Sequence, residues 1–430
     1  MRFFSVAHVC PSTDDSVNTV MKIGFLLNHD QSHQVAHCLP IALAMQRQYP
    51  QAEIVVATSS DALTAEVRRL AEREGSALQI AQLELKGMWR RALARGLESL
   101  VPLKKLGLYG ANLEFFRQLD LLVVSEKTSL MLKSRYGLTD LPIVHTRHGA
   151  GDRAIGFDKA SARFDHVLVS GPKIRDRLER EAGVSPSRMS MTGYPKFDLA
   201  PPEWTPPFAD RSLPTVVYNP HPSPHLSSWY RHGRDVLDYF IDNPRYNLIF
   251  APHVMLFHRR FVVTIDRMRV SRPGRIAQRY LDAPNIHIDL GSHRSTDMTY
   301  TMAGDIYLGD VSSQIYEFLR TPRPCLFLNS HGADWHDDVN YTHWRAGSVI
   351  DIPDRLERDR LDEALEQAVA THDRYLPVQR ELFDYSFSLT DIPSAERAAR
   401  AIMSFAGQGA GAAPLPDQPF YAPDDRVAAA

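Results

Sequence analysis

Short apolar runs recur along the chain, and longer amphipathic stretches separate several of them. Ile23–Leu27, Glu53–Ala57, Leu121–Ser125, Ile143–Thr146 and His166–Ser170 are mostly apolar and of strand length. Runs with little polar alternation fit strands buried on both faces, as in a parallel sheet. Leu39–Gln48 and Ala62–Glu74 carry helical periodicity between them. A second series follows the proline-rich stretch Pro201–Pro207, with runs at Thr215–Tyr218, Asn247–Ala251, Ile286–Asp289, Asp305–Leu308 and Pro324–Leu328. The pattern predicts two α/β domains, each built on a mostly parallel sheet with helices on its faces. The expected divisions are an extension at 1–20, a first domain at 21–200, a linker at 201–212, a second domain at 213–385, a crossover helix at 386–406 and a tail at 407–430.

The stretch Gly304–Leu319 carries the most chemistry. Ile306–Leu308 runs into Gly309-Asp310, Ser312 and Ser313 follow, and an amphipathic run comes after them. This order reads as strand, tight turn, helix. Serine hydroxyls and unpaired N–H groups at a helix start suit an anion. Glu317 lies four residues past Ser313, about one helical turn on. Donors for phosphates with a carboxylate one turn away for a ribose suit a nucleotide diphosphate. The plainer alternative is a capped helix with Glu317 exposed.

Composition narrows the function classes. At 430 residues the chain is too long for one ordinary core. Its hydrophobic content of 44% is that of a globular protein, and a formal charge of −2 argues against nucleic-acid binding as its task. Cys10, Cys38 and Cys325 match no zinc spacing and form no disulfide framework, which fits a reducing compartment. No apolar run reaches membrane-spanning length. Phe3–Val9 is a poor signal-peptide core because it is short and Asp14 and Asp15 follow it. Met21 is an alternative start. The Ala-, Pro- and Gly-rich tail after Gly407 is expected to be disordered. Met88–Leu106 is basic and amphipathic. It suits an anionic membrane surface or a lipid-linked acceptor, or, more simply, a surface helix packing Leu93, Leu97 and Leu100 on the core.

Several polar residues stand at strand ends. His148 follows a strand and is flanked by Gly149 and Gly151, which let a substrate approach the backbone. A histidine there is a candidate general base, with a simple hydrogen-bonding loop residue as the alternative. His145 is the weaker candidate because it falls at the strand itself. Lys196, in the turn Gly193–Asp198, could meet a phosphate or lie on the surface. His221 and His253 close the first two strands of the second series, on the same rim as Asp310, Ser312 and Ser313. His253 there could donate to a diphosphate. His331–Asp338 reads as a polar active-site loop, its spacing being undiagnostic for a metal. No Gly-x-x-x-x-Gly-Lys-Ser/Thr loop, no Gly-x-Gly-x-x-Gly after the first strand and no His-Glu-x-x-His is present, against a P-loop ATPase, an NAD-dependent dehydrogenase or a zinc protease.

Together these motifs resemble the CDP-glycerol glycerophosphotransferase family of teichoic-acid and capsule enzymes, and more broadly the GT-B glycosyltransferases and nucleotide-sugar epimerases. His148-Gly149-Ala150-Gly151 is similar to the family's His-Gly-Thr-Pro segment. Gly193–Asp198 matches its Gly-x-Pro-Arg/Lys-x-Asp turn, Pro252-His253 partly matches its His-Pro strand end, and Gly309–Ser313 with Glu317 matches its Thr-Asp-Tyr-Ser-Ser segment. Phe387–Ala399 looks like its closing helix, which in GT-B proteins crosses back to the first domain. Two segments depart from the pattern: Gly149–Arg153 lacks the Thr-Pro-x-Lys, and Asn219–Pro222 stands where the family has Ala-Pro-Thr-Trp-Arg.

The resemblance implies two Rossmann-like domains facing across a cleft. It implies transfer of a glycerophosphate or glycosyl group from CDP-glycerol or a nucleotide sugar to a polysaccharide or lipid-linked acceptor. His148 would be the base. His253, Ser312 and Ser313 would hold the diphosphate, with Asp310 shaping the turn and Glu317 on the ribose. No metal or other cofactor is implied. The expected place is the cytoplasm, with peripheral contact at the inner membrane face as a variant. A non-hydrolysing 2-epimerase and a catalytically inactive partner module in polysaccharide biosynthesis or export are the alternatives.

Overall fold

The computed structural model describes residues 20–29, 32–85, 101–147, 149, 151–152, 156–199, 203–258, 261–264 and 269–407. The 1–19 extension, most of the basic Met88–Leu106 segment, His148, the start of the linker and the tail lie outside these residues.

The first sheet has seven strands: β1 (Lys22–Leu27), β2 (Glu53–Thr58), β3 (Gln79–Gln82), β4 (Leu121–Val124), β5 (Ile143–Thr146), β6 (His166–Val169) and β7 (Met189–Met191). Their order is β3-β2-β1-β4-β5-β6-β7, and every pairing is parallel. The second sheet uses β8 (Thr215–Asn219), β9 (Asn247–Phe250), β12 (Ile286–Ile288), β13 (Ile306–Gly309), β14 (Cys325–Asn329) and β15 (Ser348–Asp351). It runs β12-β9-β8-β13-β14-β15, again all parallel. A separate antiparallel hairpin joins β10 (Val262–Thr264) to β11 (Arg269–Ser271).

The central strands are apolar at consecutive positions because helices cover both faces. All four residues of β4 are buried, as are all five of β14. The helix Leu39–Gln48 lays Ile41, Ala42 and Met45 on the face of the first sheet formed by Ile23, Phe25 and Val56. The helix Trp229–Asp242 does the same for the second, with Val236, Leu237 and Phe240 against Tyr218, Leu248 and Phe250. Ser60 caps the helix Asp61–Arg73 by accepting from the Leu63 N–H.

The chain crosses back at its end. Ser388 N–H donates to Ser170 O, and the Ser170 hydroxyl donates to Ser386 O, so the crossing is pinned to the end of β6. The helix Ser394–Gly407 then buries Ala395, Ala398, Ala399 and Ile402 in the first domain's core. Its start is held by the Gly193–Asp198 turn. The Asp198 carboxylate accepts from Ser394 N and Ala395 N, and Ser394 Oγ accepts from Tyr194 N at 3.0 Å. An acidic cap at a helix start satisfies orphan N–H groups and suits the positive end of the helix dipole. The turn matched from sequence therefore anchors the returning helix.

Candidate functional site

The carboxyl ends of both sheets border one cavity of about 600 Å³. Its first-domain wall includes Ser125 to Thr128 after β4, and Arg147, Gly149 and Gly151 after β5. Its second-domain wall includes His221 after β8, His253 after β9, and Val311 to Gln314 after β13. The volume suits a nucleotide-sized ligand, and residues after parallel strands are where open α/β sheets bind ligands.

The expected site residues divide three ways. Gly149, Gly151, His221, His253, Ser312, Ser313, Lys196 and Glu317 all line the cavity. His148 lies outside the described residues. Asp310, expected at the donor, is instead fully buried and is not among the lining residues. Its carboxylate accepts from His221 N, Val311 N, Ser228 N and the Ser228 hydroxyl. It ties the loop after β8 to the end of β13. Burial pushes its pKa up to about 6 against those hydrogen bonds.

The turn after β13 departs from its expected shape. The helix that follows is only Gln314–Phe318, with Ser313 at its N-cap position. So short a helix adds little macrodipole, and any anion affinity rests on local N–H and O–H donors. The Ser312 hydroxyl is buried and donates to Asn219 Oδ1, whereas Ser313 is exposed at the cavity wall. The two serines are therefore not equivalent.

Glu317 is 8% exposed, which excludes the reading of it as a solvent-facing helix residue. Lys196 Nζ lies 2.5 Å from its Oε1, and the Tyr194 hydroxyl donates to the same oxygen at 3.2 Å. Lys196, expected at a phosphate or on the surface, is 5% exposed and pairs across the domains with Glu317. The reason is local: the Gly193–Asp198 turn packs Tyr194 and Phe197 against Tyr316 and Phe387 and carries Lys196 inward with them.

His253 and His221, on the second-domain wall, share a tautomer. His253 Nδ1 accepts from Met255 N at 3.2 Å, and His221 Nδ1 accepts from Ser223 N at 3.0 Å. An accepting Nδ1 leaves the proton of the neutral ring on Nε2. Burial pushes His253 down to about 4. His145 is buried, stacked on Phe164 with ring centroids 4.3 Å apart, and Nε2 lies 3.3 Å from Ser125 O. It lines the cavity as part of the sheet core.

Sequence reasoning missed a buried network around Asp152. Its carboxylate accepts from Lys173 Nζ at 2.9 Å, from the Tyr316 hydroxyl at 2.7 Å and from the backbone N–H of His343 at 3.2 Å. His343 Nδ1 lies 2.9 Å from it. Burial opposes ionisation, but Lys173, His343 and Tyr316 outweigh it and hold the carboxyl well below its usual range. Burial pushes Lys173 down to about 8 in spite of Asp152. The signal for Asp152 was its place in the glycine-rich loop after β5. His343 and Tyr316 carried none. His331–Asp338 does not line the cavity, which is reached instead by Asn340 and His343 just beyond it. Among the described residues no three His, Cys, Asp or Glu side chains converge as metal ligands. No helix among them is long and apolar enough to cross a membrane.

No protein-family model matches the sequence, and no curated protein is found as a relative. Solved structures do match in shape. The glycotransferase of kitacinnamycin is 13% identical, with a TM-score of 0.53 over 90% of this chain and 99% of that one. The wall teichoic acid polymerase TagF, soaked with CDPG, is 12% identical, with a TM-score of 0.53 over 93% and 91%. The UDP-GlcNAc 2-epimerase from Neisseria meningitidis, bound to UDP-GlcNAc, is 11% identical, with a TM-score of 0.52 over 89% and 99%. Two parallel sheets with helices, a returning C-terminal helix and these neighbours make the fold GT-B.

Proposed function

We propose that this chain is a GT-B transferase that moves a glycerophosphate or glycosyl group from a nucleotide-activated donor to an acceptor hydroxyl. The observation that carries the reading is a cavity walled by Ser313, His253 and His221 from one domain and by Gly149 and Gly151 from the other. The donor diphosphate takes Ser313 and the Nε2–H groups of His253 and His221. Neutral donors of this kind hold an anion without placing a further charge in the cavity. The two hydrogen bonds found at Glu317 fall on Oε1, which leaves Oε2 to a ribose hydroxyl. His148, next to Arg147 in the chain, is the base toward the acceptor. CDP-glycerol is the preferred donor class on the motif resemblance, and TagF is among the solved structures that share the fold.

The cavity carboxylates favour transfer over 2-epimerisation. An epimerase needs carboxylates that gain and lose protons during turnover. Here Glu126 has Lys105 at 3.0 Å, Asp152 has Lys173 at 2.9 Å and Glu317 has Lys196 at 2.5 Å. Burial raises the Glu126 pKa, but His29 and Lys105 outweigh it and hold it at about 2. A carboxylate so held is a poor proton shuttle at neutral pH. The test is a turnover and binding screen with CDP-glycerol, UDP-sugars and GDP-sugars. Binding and cleavage of CDP-glycerol supports the reading. Isomerisation of a UDP-sugar without net cleavage supports the epimerase, and failure to bind any of them overturns both.

A further inference from the structure

We propose that the loop Gly291–Asp297 clasps the first-domain helix Asp61–Arg73 through His293 and Glu66, and that Gln314 relays this contact to the turn at Ser313. The relay rests on the proposed function only in taking that turn as the donor site. The clasp itself rests on contacts that need no ligand.

Glu66 lies on the buried face of its helix and is 6% exposed. Arg69 grips its carboxylate with two hydrogen bonds, Nε to Oε2 and Nη2 to Oε1, both at 2.8 Å. His293 Nδ1 of the second domain lies 3.4 Å from the same Oε2. The hydrogen bonds to Glu66 outweigh burial and raise the Arg69 pKa, and Asp297 of the loop adds to the rise. Each domain thus sets one acid and one base against the other's pair.

The loop is held in shape at both ends. Asp289, at its root, accepts from Gly291 N, Ser292 N and the Tyr300 hydroxyl. At its far end Met298 has φ +70°, a left-handed conformation that a non-glycine residue rarely takes. Met298 keeps it because its side chain is buried in the cluster that includes Tyr194 and Phe197 of the first domain. Strained backbone persists where its surroundings impose it, and it gathers at switching segments. Between the two ends, Ser295 O accepts from Gln314 Nε2 at 2.8 Å. Gln314 follows Ser313 on the cavity wall, and Thr296 lines the cavity too. One short path therefore joins Glu66 to the donor turn, with Gln314 as its positioning residue.

The contact can part. The His293 side chain is 58% exposed, and a gap of about 20 Å³, room for one water, is left among Glu66, Arg69, Thr296 and Met298. A permanent domain interface would close such a gap. An exposed ion pair is weak enough to make and break, so it biases the seating of the helix without locking it. A donor at the turn steadies Gln314 and, through it, the loop. By linkage the seated loop favours the donor to the same degree.

The test uses the full chain, with amide hydrogen exchange read by mass spectrometry and affinity for CDP, UDP and GDP read by calorimetry. His293→Glu sets like charges together. It should speed exchange in the loop 290–298 and the turn 311–316, leave β1 and β4 unchanged, and weaken the preferred nucleotide about two- to fivefold. Adding Glu66→Gln should restore both, because the repulsion goes with the charge. His293→Lys keeps the attraction and should exchange as the wild type does, which serves as the control if Glu66→Gln disturbs its helix. With Gln314→Met, His293→Glu should still loosen the loop but no longer change the turn. Unchanged loop exchange in His293→Glu would overturn the clasp, as would equal loosening in His293→Lys. A loosened loop with turn and affinity as in the wild type would overturn the relay. The expected exchange pattern in a chain that binds none of the three nucleotides would leave clasp and relay standing and sink the transferase reading instead.

Discussion

His343 Nδ1 lies 2.9 Å from Oδ2 of Asp152, so one buried carboxylate of the first domain is held by a histidine of the second. Lys173 reaches it from its own domain, and Tyr316 joins from the other. The Lys173 ammonium also sits 3.5 Å from the Tyr316 ring centroid. Asp152 therefore fixes the glycine-rich loop and the seating of the two domains together.

Asp152→Ala leaves Lys173 buried without its counter-charge. Removing one partner of a buried pair costs about 3–5 kcal/mol, and urea denaturation reads it directly. Adding Lys173→Met should recover part of the loss, because the orphaned charge goes with it. A loss under about 1 kcal/mol in Asp152→Ala would show that water or another anion takes the carboxylate's place.

With a donor identified, His148→Ala should lower turnover by about 10²- to 10⁴-fold, the usual scale for losing a general base. The affinity for the nucleotide product should stay within about twofold, since that contact lies on the other wall. Near-normal turnover would remove His148 as the base.

The two loop glycines should fail differently. Gly149 has φ +75°, and a Cβ there meets nothing within 4 Å. Gly149→Ala costs about 1–2 kcal/mol of backbone strain. A Cβ on Gly151 would lie 3.1 Å from Ser313 Cβ, across the cleft. Gly151→Ala presses on Ser313 and should weaken nucleotide binding several-fold at smaller cost in stability. Paired melting and calorimetry separate the two effects. An equal effect of both substitutions on affinity would mean that the loop contact with Ser313 does not matter.

Burial pushes the His253 pKa from the usual 6.5 down to about 4 in the folded chain. A histidine with a depressed pKa contributes stability that is full above the unfolded value and is lost as pH falls from 6.5 toward 4. His253→Asn should flatten that part of the stability profile. Glu126 acts in a lower window, from 4.5 down to about 2, through its ties to His29 and Lys105. Glu126→Gln should therefore change the profile only at the more acid end. Urea midpoints taken across the acid range distinguish the two. A normal NMR titration of His253 near 6.5 would show that burial does not depress it and would remove this pH dependence.

The strands found from sequence are mainly those the sheets bury on both sides, such as β1, β4, β8 and β14. Of the five that went unnoticed, β3, β7 and β15 are sheet edges, and β10 and β11 form the separate antiparallel pair. Gln79–Gln82 is polar at both ends and half-exposed, and Ser348–Asp351 is partly exposed throughout, so neither shows an unbroken apolar run. The site divides in the same way. Strand ends can be read from a local pattern, and His221, His253, Ser312 and Ser313 all reach the cavity wall. Partnerships cannot. Nothing near Lys196 in the chain announces Glu317, 121 residues away, and nothing near Asp152 announces His343, 191 residues away. Those pairs exist only because two domains face each other, and they decide which charges the cavity offers to a ligand.

The same distinction separates Ser312 from Ser313. Ser312 gives its proton to Asn219 Oδ1, and Asn219 in turn donates to Ala251 O at 2.6 Å, so its hydroxyl belongs to the packing between β8, β9 and β13. Ser312→Ala should leave Asn219 Oδ1 buried without a donor and cost about 1–3 kcal/mol of stability. Ser313 is exposed on the cavity wall at the N-cap, with no side-chain capping bond to lose. Ser313→Ala should leave stability within about 0.5 kcal/mol and lower affinity for the preferred nucleotide diphosphate by about 0.5–1.5 kcal/mol, or more where the bond is charge-assisted. Calorimetry with CDP, UDP and GDP, alongside urea denaturation of both variants, checks the crossed pattern. If Ser313→Ala binds the preferred nucleotide as tightly as the wild type, the diphosphate does not use this turn, and the donor site must be sought at His221 and His253.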